Sequence, residues 1–268
     1  MGSEGRFEQT FHTDQDNGLI FSAADAVEAK TLRREFLPMA QQVNRYLDQC
    51  GIPTCAGGIM AGNAECCLSI DEWKQRFQNW VRTPDPMALL NATIYFDFRP
   101  LYGDNSLANS LRGHLLDLAA DHSGFLRFLA DNALSATAPL GIWRDFVTEK
   151  GINNTQHIDL KKFGARLFVD AARVFALANR SPETSTIARL RAAGPASGIH
   201  GSDIDSAVQA FAQVQRIRMT NQTRVEAGAD GNFLEPKKLN RLDRKILHES
   251  LYQAQSLQFK LRQAYAIE

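Results

Sequence analysis

Between residues 23 and 49, Val27, Phe36, Met39, Val43 and Leu47 recur near the helical repeat, and this stripe predicts one long helix. Pro38 should kink or divide it, because proline has no N–H to give and its ring crowds the preceding turn. Gly51 supplies a glycine just past the helix end. Residues 52–63 are rich in Gly and Pro and predict a loop. Ser69-Ile70-Asp71-Glu72 is a capping box that opens a helix reaching Val81, and Thr83-Pro84-Asp85-Pro86 breaks it. Ala92-Thr93-Ile94-Tyr95-Phe96-Asp97-Phe98 is β-branched and aromatic and predicts the clearest strand, with Asp97 inside it. Leu19-Ile20-Phe21 predicts a strand continuing out of an acidic run, and 4–12 a short helix or turn. After Pro100 and Gly103 the pattern becomes helical. Helices are predicted over 107–119, 123–134, 160–178, 202–222, 236–249 and 251–265. Short extended pieces are predicted at 142–146 and near Ile158, and a loop at 228–232. A mixed part followed by a helical part predicts an α+β protein, divided into 1–119 and 120–268.

The chain has 268 residues, enough for one large domain or two ordinary ones. Its apolar and charged fractions, 44% and 22%, are those of a soluble globular protein. Formal net charge is zero, so no global basic field exists to collect nucleic acid. No apolar run approaches the length of a membrane span, and no signal peptide is evident. A cytoplasmic protein with reduced thiols is expected. Cys50, Cys55, Cys66 and Cys67 match no paired zinc-ligand spacing, so they read as structural or incidental thiols in preference to a zinc site.

The chemistry concentrates near the amino terminus. In Thr13-Asp14-Gln15-Asp16-Asn17, two aspartates stand at strand spacing, where residues i and i+2 point to one face. They would present two hard oxygen ligands to one spot, which suits a Mg²⁺ carrying a nucleoside triphosphate. Asp97 is a carboxylate in an apolar run, which is costly without partners. It is either solvated at a strand end or neutralised by a metal shared with Asp14 and Asp16. Arg6 reads either as a phosphate contact or as a surface pair with Glu4 or Glu8. Arg99 and Asp104 could touch substrate or pair with each other. Gly57-Gly58 allows close backbone approach or makes a plain turn. Lys161 and Lys162 open a helix, where the dipole disfavours lysine. They read as a phosphate contact or, more simply, as a solvated face. His12 is the histidine nearest the motif.

Gly2-Ser3, then Gly5-Arg6-x-Glu8-Gln9, then the Asp-x-Asp run and a third aspartate resemble the putative nucleotidyltransferase family related to protein-PII uridylyltransferases. Supporting stretches are Cys55-Ala56-Gly57-Gly58-Ile59-Met60-Ala61-x-Asn63 and Tyr95-Phe96-Asp97-Phe98-Arg99-Pro100-Leu101-Tyr102-Gly103-Asp104. Downstream, Ile158 to Gly164, Asp170-Ala171-Ala172-Arg173 and Thr186 to Leu190 resemble the family's helical substrate-binding domain. The resemblance implies a polymerase-β-like nucleotidyltransferase fold, here lacking its first strand, followed by a helical bundle. It also implies that Gly2, Ser3 and Arg6 hold the nucleotide. Asp14, Asp16 and Asp97 would be the catalytic and metal-binding carboxylates, with up to two Mg²⁺ ions. The partners implied are a nucleoside triphosphate and a protein or small-molecule acceptor, in signal transduction. Members are often fused to CBS or cyclic-nucleotide-binding domains, so regulatory domains upstream are expected in the native protein. Two other readings stand beside transfer: a nucleotide-sensing or partner-docking module, and a metal-dependent phosphohydrolase.

Overall fold

The computed structural model describes residues 1–11, 13–141, 146–150, 155–224 and 230–267. The chain forms two compact units, Met1–Phe125 and Leu126–Glu268. Together they make an α+β protein whose second unit is mainly helical.

In the first unit a one-turn helix α1 (Gly2–Gly5) is followed by strand β1 (Leu19–Phe21) and the long helix α2 (Ala26–Gln49). Asp25 caps α2 through the N–H groups of Val27 and Glu28. The helix runs on through Pro38, and Gly51 beyond its end takes a φ of +88°, which suits glycine. The buried face follows the predicted stripe only in part. Ala29, Ala40 and Asn44 turn inward, Leu32 and Phe36 pack on the core that Ala29 shares with Phe21 and Cys67, and Val27, Met39 and Val43 are exposed. Strand β2 (Cys67–Ser69) pairs in parallel with β1, Leu19 against Cys67 and Phe21 against Ser69. The Phe21 ring lies 5.3 Å from that of Phe36.

Helix α3 (Ile70–Arg82) starts on the predicted capping box: Ser69 Oγ accepts from the Glu72 N–H, and the Glu72 carboxylate accepts from the Ser69 N–H. Its inner face carries Trp73, Phe77 and Val81. Trp73 is buried and gives its indole N–H to the Leu19 carbonyl at 3.0 Å. The predicted strand at 92–98 is instead the end of helix α4 (Pro86–Tyr95) and the turn after it. Asp85 caps α4 by accepting from the Ala88 N–H at 2.7 Å, and Pro86 sits in the first turn, where proline is tolerated. Ala88, Ala92 and Tyr95 fall on one buried face. Helix-start chemistry and helical spacing therefore override the strand preference of Thr93 and Ile94. Phe96 packs on Phe77 with ring centres 4.9 Å apart, and Asp97 follows it in the turn. Helix α5 (Asn105–Ala120) is capped by Asp104, whose carboxylate accepts from the Ser106 N–H.

The second unit takes in α6 (Ser123–Leu134) from Leu126 onward and centres on α7 (Arg166–Ala178), whose residues from Leu167 to Leu177 are all buried. A helix buried on every side must be covered on every side, and α8 (Thr186–Ala193) and α10 (Arg241–Ala264) pack on it, with α9 (Gly201–Gln222) against both of them. The predicted break near residue 250 is absent: α10 is continuous, opened by Asn240, and Pro236 lies in a separate short turn before it. Strands β3 (Glu149–Lys150), β4 (Gln156–Asp159) and β5 (Phe233–Leu234) form a small antiparallel sheet. Of the extended piece expected at 142–146, only Phe146 falls within the described residues, bridged to Leu140. The loop expected at 228–232 is described from residue 230 onward.

Candidate active site

Asp14 and Asp16 lie in the run leading into β1, outside the ladder itself, which begins at Leu19. Alternation nevertheless holds along this run. Gln15 is buried, while Asp14 is exposed and Asp16 half-buried on the other side. The inward residues bind the run to the loop at 52–62. Gln15 gives its main-chain N–H to Pro53 O at 2.9 Å, and Asn17 gives its own to Ile59 O at 3.1 Å. The Gln15 amide donates to Ile52 O and Asn44 O. Asn44, on α2, donates to Gln15 Oε1 at 2.7 Å and Asn17 Oδ1 at 3.1 Å, and accepts from the Gly62 N–H at 2.7 Å. Asn17 Oδ1 also accepts from the Ala61 N–H at 2.8 Å. A buried polar network with this many satisfied members fixes its parts in one arrangement. Asn17 thus does more than pair along a strand.

The outward residues meet a third donor. A carboxylate oxygen of Asp14, one of Asp16 and the Cys55 sulfur all lie within 4.8 Å of one another. Cys55 is half-buried and carries no disulfide. Burial pushes its thiol pKa up. Hydrogen bonds from the main chain at Ile59 and Gly57 oppose this, and the Asp16 carboxylate adds to the rise. Two carboxylate oxygens converging on one point fit a divalent cation.

The predicted nucleotide-binding residues stand alongside. Gly2 takes a φ of +53°, and a Cβ there would lie 3.1 Å from Asp16 Oδ2. Ser3 is half-buried, its carbonyl accepting from the Glu8 N–H. The Met1 nitrogen donates to Asp16 O at 2.5 Å. Gly5 is pressed against the turn holding Asp97: a Cβ there would come within 2.0 Å of the Asp97 carbonyl oxygen. The short helix therefore runs from Asp16 at one end to Asp97 at the other.

Asp97 is fully buried, and Arg6 Nη1 donates to its carboxylate at 2.6 Å while Arg6 Nε donates to Glu8 at 2.8 Å. Asp97 is thus held by Arg6 and is not a member of the Asp14–Asp16–Cys55 cluster. Arg99 and Asp104 do not pair with each other. Arg99 binds Glu4 by its side chain and main-chain carbonyl and covers the Phe7 ring, and Asp104 caps α5. Lys161 and Lys162 are exposed, and Asp159 accepts both of their main-chain N–H groups, which offsets the poor placement of lysine at a helix start. His12 lies outside the described residues.

An apolar cleft of about 350 Å³ opens beside Asp16 and Asn17, with Trp73, Phe77, Tyr95 and Phe98 among its walls. Residues 123–265 match the family model described as "Putative nucleotidyltransferase substrate binding domain", and residues 1–87 that described as "Putative nucleotidyltransferase DUF294". The chain belongs to this putative nucleotidyltransferase family. No curated protein and no solved structure matches it.

In this nucleotidyltransferase family member, the reading of residue types alone passes over Cys55 and Asn44. The cysteine fits no zinc spacing, and the asparagine lies in a helix far along the chain. The available signal was the two side-chain amides of Gln15 and Asn17 flanking Asp16, which need partners when buried. Among the described residues no helix is long and apolar enough to cross a membrane.

Proposed function

We propose that the protein transfers a nucleoside monophosphate from a nucleoside triphosphate to a hydroxyl of a protein or small molecule, as uridylyltransferases do, in signal transduction. The first unit would carry the transfer and the helical unit would recognise the acceptor. The convergence of Asp14 and Asp16, fixed by the Gln15–Asn44–Asn17 network, is the observation that carries this reading. Mg²⁺, as one ion or two, would supply neutralisation of phosphate charge and polarisation of the α-phosphorus.

The chain's own residues would do the rest. Asp14 and Asp16 would hold the cation with their carboxylates and so fix where the triphosphate bound to it can sit. Gly2, buried against the Asp16 carboxylate, would turn its main-chain N–H to a phosphate oxygen, and Ser3 would add a hydroxyl donor. The aromatic walls of the cleft suit a nucleobase. The incoming triphosphate would compete for Arg6, freeing Asp97 to accept the proton of the acceptor hydroxyl. The acceptor oxygen then bonds to the α-phosphorus, the α–β phosphoanhydride bond breaks, and pyrophosphate leaves. The test is incubation with α-labelled triphosphates, Mg²⁺ and candidate acceptors. Label should move to the acceptor with the native chain and not with the Asp14→Ala, Asp16→Ala variant. Equal labelling by both would refute the assignment.

A second reading has one observation in its favour. The Asp97 carboxylate is occupied by Arg6, apart from the other two aspartates, and this arrangement suits nucleotide sensing without turnover. Nucleotide binding with no transfer to any supplied acceptor would select it.

A further inference from the structure

We infer that Cys55 is the third protein ligand of the cation site and makes it selective for softer divalent ions, Mn²⁺ over Mg²⁺ and Cd²⁺ or Zn²⁺ over both. The inference rests on the reading of Asp14 and Asp16 as cation ligands and adds the identity of the ion to it.

Three arguments support the thiol as a ligand. Its sulfur lies within 4.8 Å of an oxygen from each aspartate, so one ion can touch all three. The two segments that bring these atoms together are fixed to each other by main-chain bonds, Gln15 N to Pro53 O and Asn17 N to Ile59 O, on either side of Cys55. The donor set is therefore assembled before any ion arrives. The main chain at Gly57 and Ile59 also hydrogen-bonds the sulfur, which holds it in place beside the two carboxylates.

Selectivity follows from the donor chemistry. Mg²⁺ holds its waters tightly and takes oxygen ligands, so a sulfur at the third position gives it little. Mn²⁺, Zn²⁺ and Cd²⁺ gain progressively more from a thiolate. On binding, the S–H proton passes to solvent and a metal–sulfur bond forms, so each ion bound through Cys55 releases a proton.

The experiment is titration of the full chain with Cd²⁺ alone, following the ultraviolet charge-transfer band of a cadmium–thiolate bond. The native chain should bind one Cd²⁺ with such a band. Cys55→Ser should lose the band and bind Cd²⁺ about 10–100-fold more weakly. Asp14→Asn with Asp16→Asn should weaken the band's titration by a comparable factor, whereas Cys50→Ser should leave it unchanged. Thermal melting of each variant confirms that it is folded. A band that persists in folded Cys55→Ser, or one indifferent to the two aspartates, would overturn the inference. The outcomes also separate it from the proposed function. Transfer activity with no Cys55-dependent band sinks this inference alone, and the band without transfer of any nucleotide sinks the catalytic reading alone.

Discussion

Arg6 holds a buried carboxylate in place, and Gly5 explains why it can. Because Gly5 has no side chain, α1 packs directly on the backbone of Asp97 and brings Arg6 within 2.6 Å of its carboxylate. Removing one partner of such a pair takes a counter-charge away from a buried group. Arg6→Ala should therefore destabilise the first unit by about 3–5 kcal/mol in urea denaturation. A loss no larger than that of an exposed arginine would show that the pair is dispensable. Gly5→Ala should be as damaging or worse, since its Cβ has no room. At this scale the sequence was legible where side-chain spacing sets the chemistry. Asp14 and Asp16 do converge, because alternation needs only an extended local chain. The pattern puts Asp97 in a strand of its own at 92–98, and neither its helix-end turn nor its pairing with Arg6 is encoded within a few residues of it.

The elements that position the site are α2, α3 and the loop between them. Asn44 on α2 reaches both Gln15 and Asn17, so Asn44→Leu should loosen the Asp14–Asp16 run with both carboxylates intact. Cation affinity should fall about 10–100-fold, as for other groups that orient metal ligands. Calorimetry with Mn²⁺ checks this, and unchanged affinity would show that the network does not shape the site. Helix α3 offers a pH test. Burial pushes the Glu72 carboxyl up, but Arg33 and the Ser69 N–H and hydroxyl outweigh it and hold its pKa below the ordinary value. A depressed folded-state pKa contributes stability above the unfolded value, about 4.3 for glutamate, and loses it as pH falls through the folded one. The native chain should therefore lose stability below about pH 4.3 more steeply than Glu72→Gln in acid-melting curves. Ser69→Ala should cost about 1 kcal/mol at neutral pH. The capping box was visible in four consecutive residues. Helix α4 was not, because Asp85-Pro86 serves equally as a breaker and as a helix start. The packing of Ala88, Ala92 and Tyr95 decides between them.

For the whole molecule, family membership rests on two matches that together span most of the chain, residues 1–87 and 123–265. The mainly helical second unit was readable because helical periodicity accumulates over many residues. The wrapping of α7 by its neighbours was not, since the pattern along a helix does not say what covers it. A formal net charge of zero gives no long-range attraction for polyanions. The most direct measurement of the central claim is calorimetric titration of nucleoside triphosphates, with and without Mg²⁺, into the native chain and into Asp16→Ala. The account predicts binding that depends on Mg²⁺ and is weakened at least about tenfold in Asp16→Ala, with an unchanged melting temperature. Equal affinity in the two proteins, or binding indifferent to Mg²⁺, would contradict it.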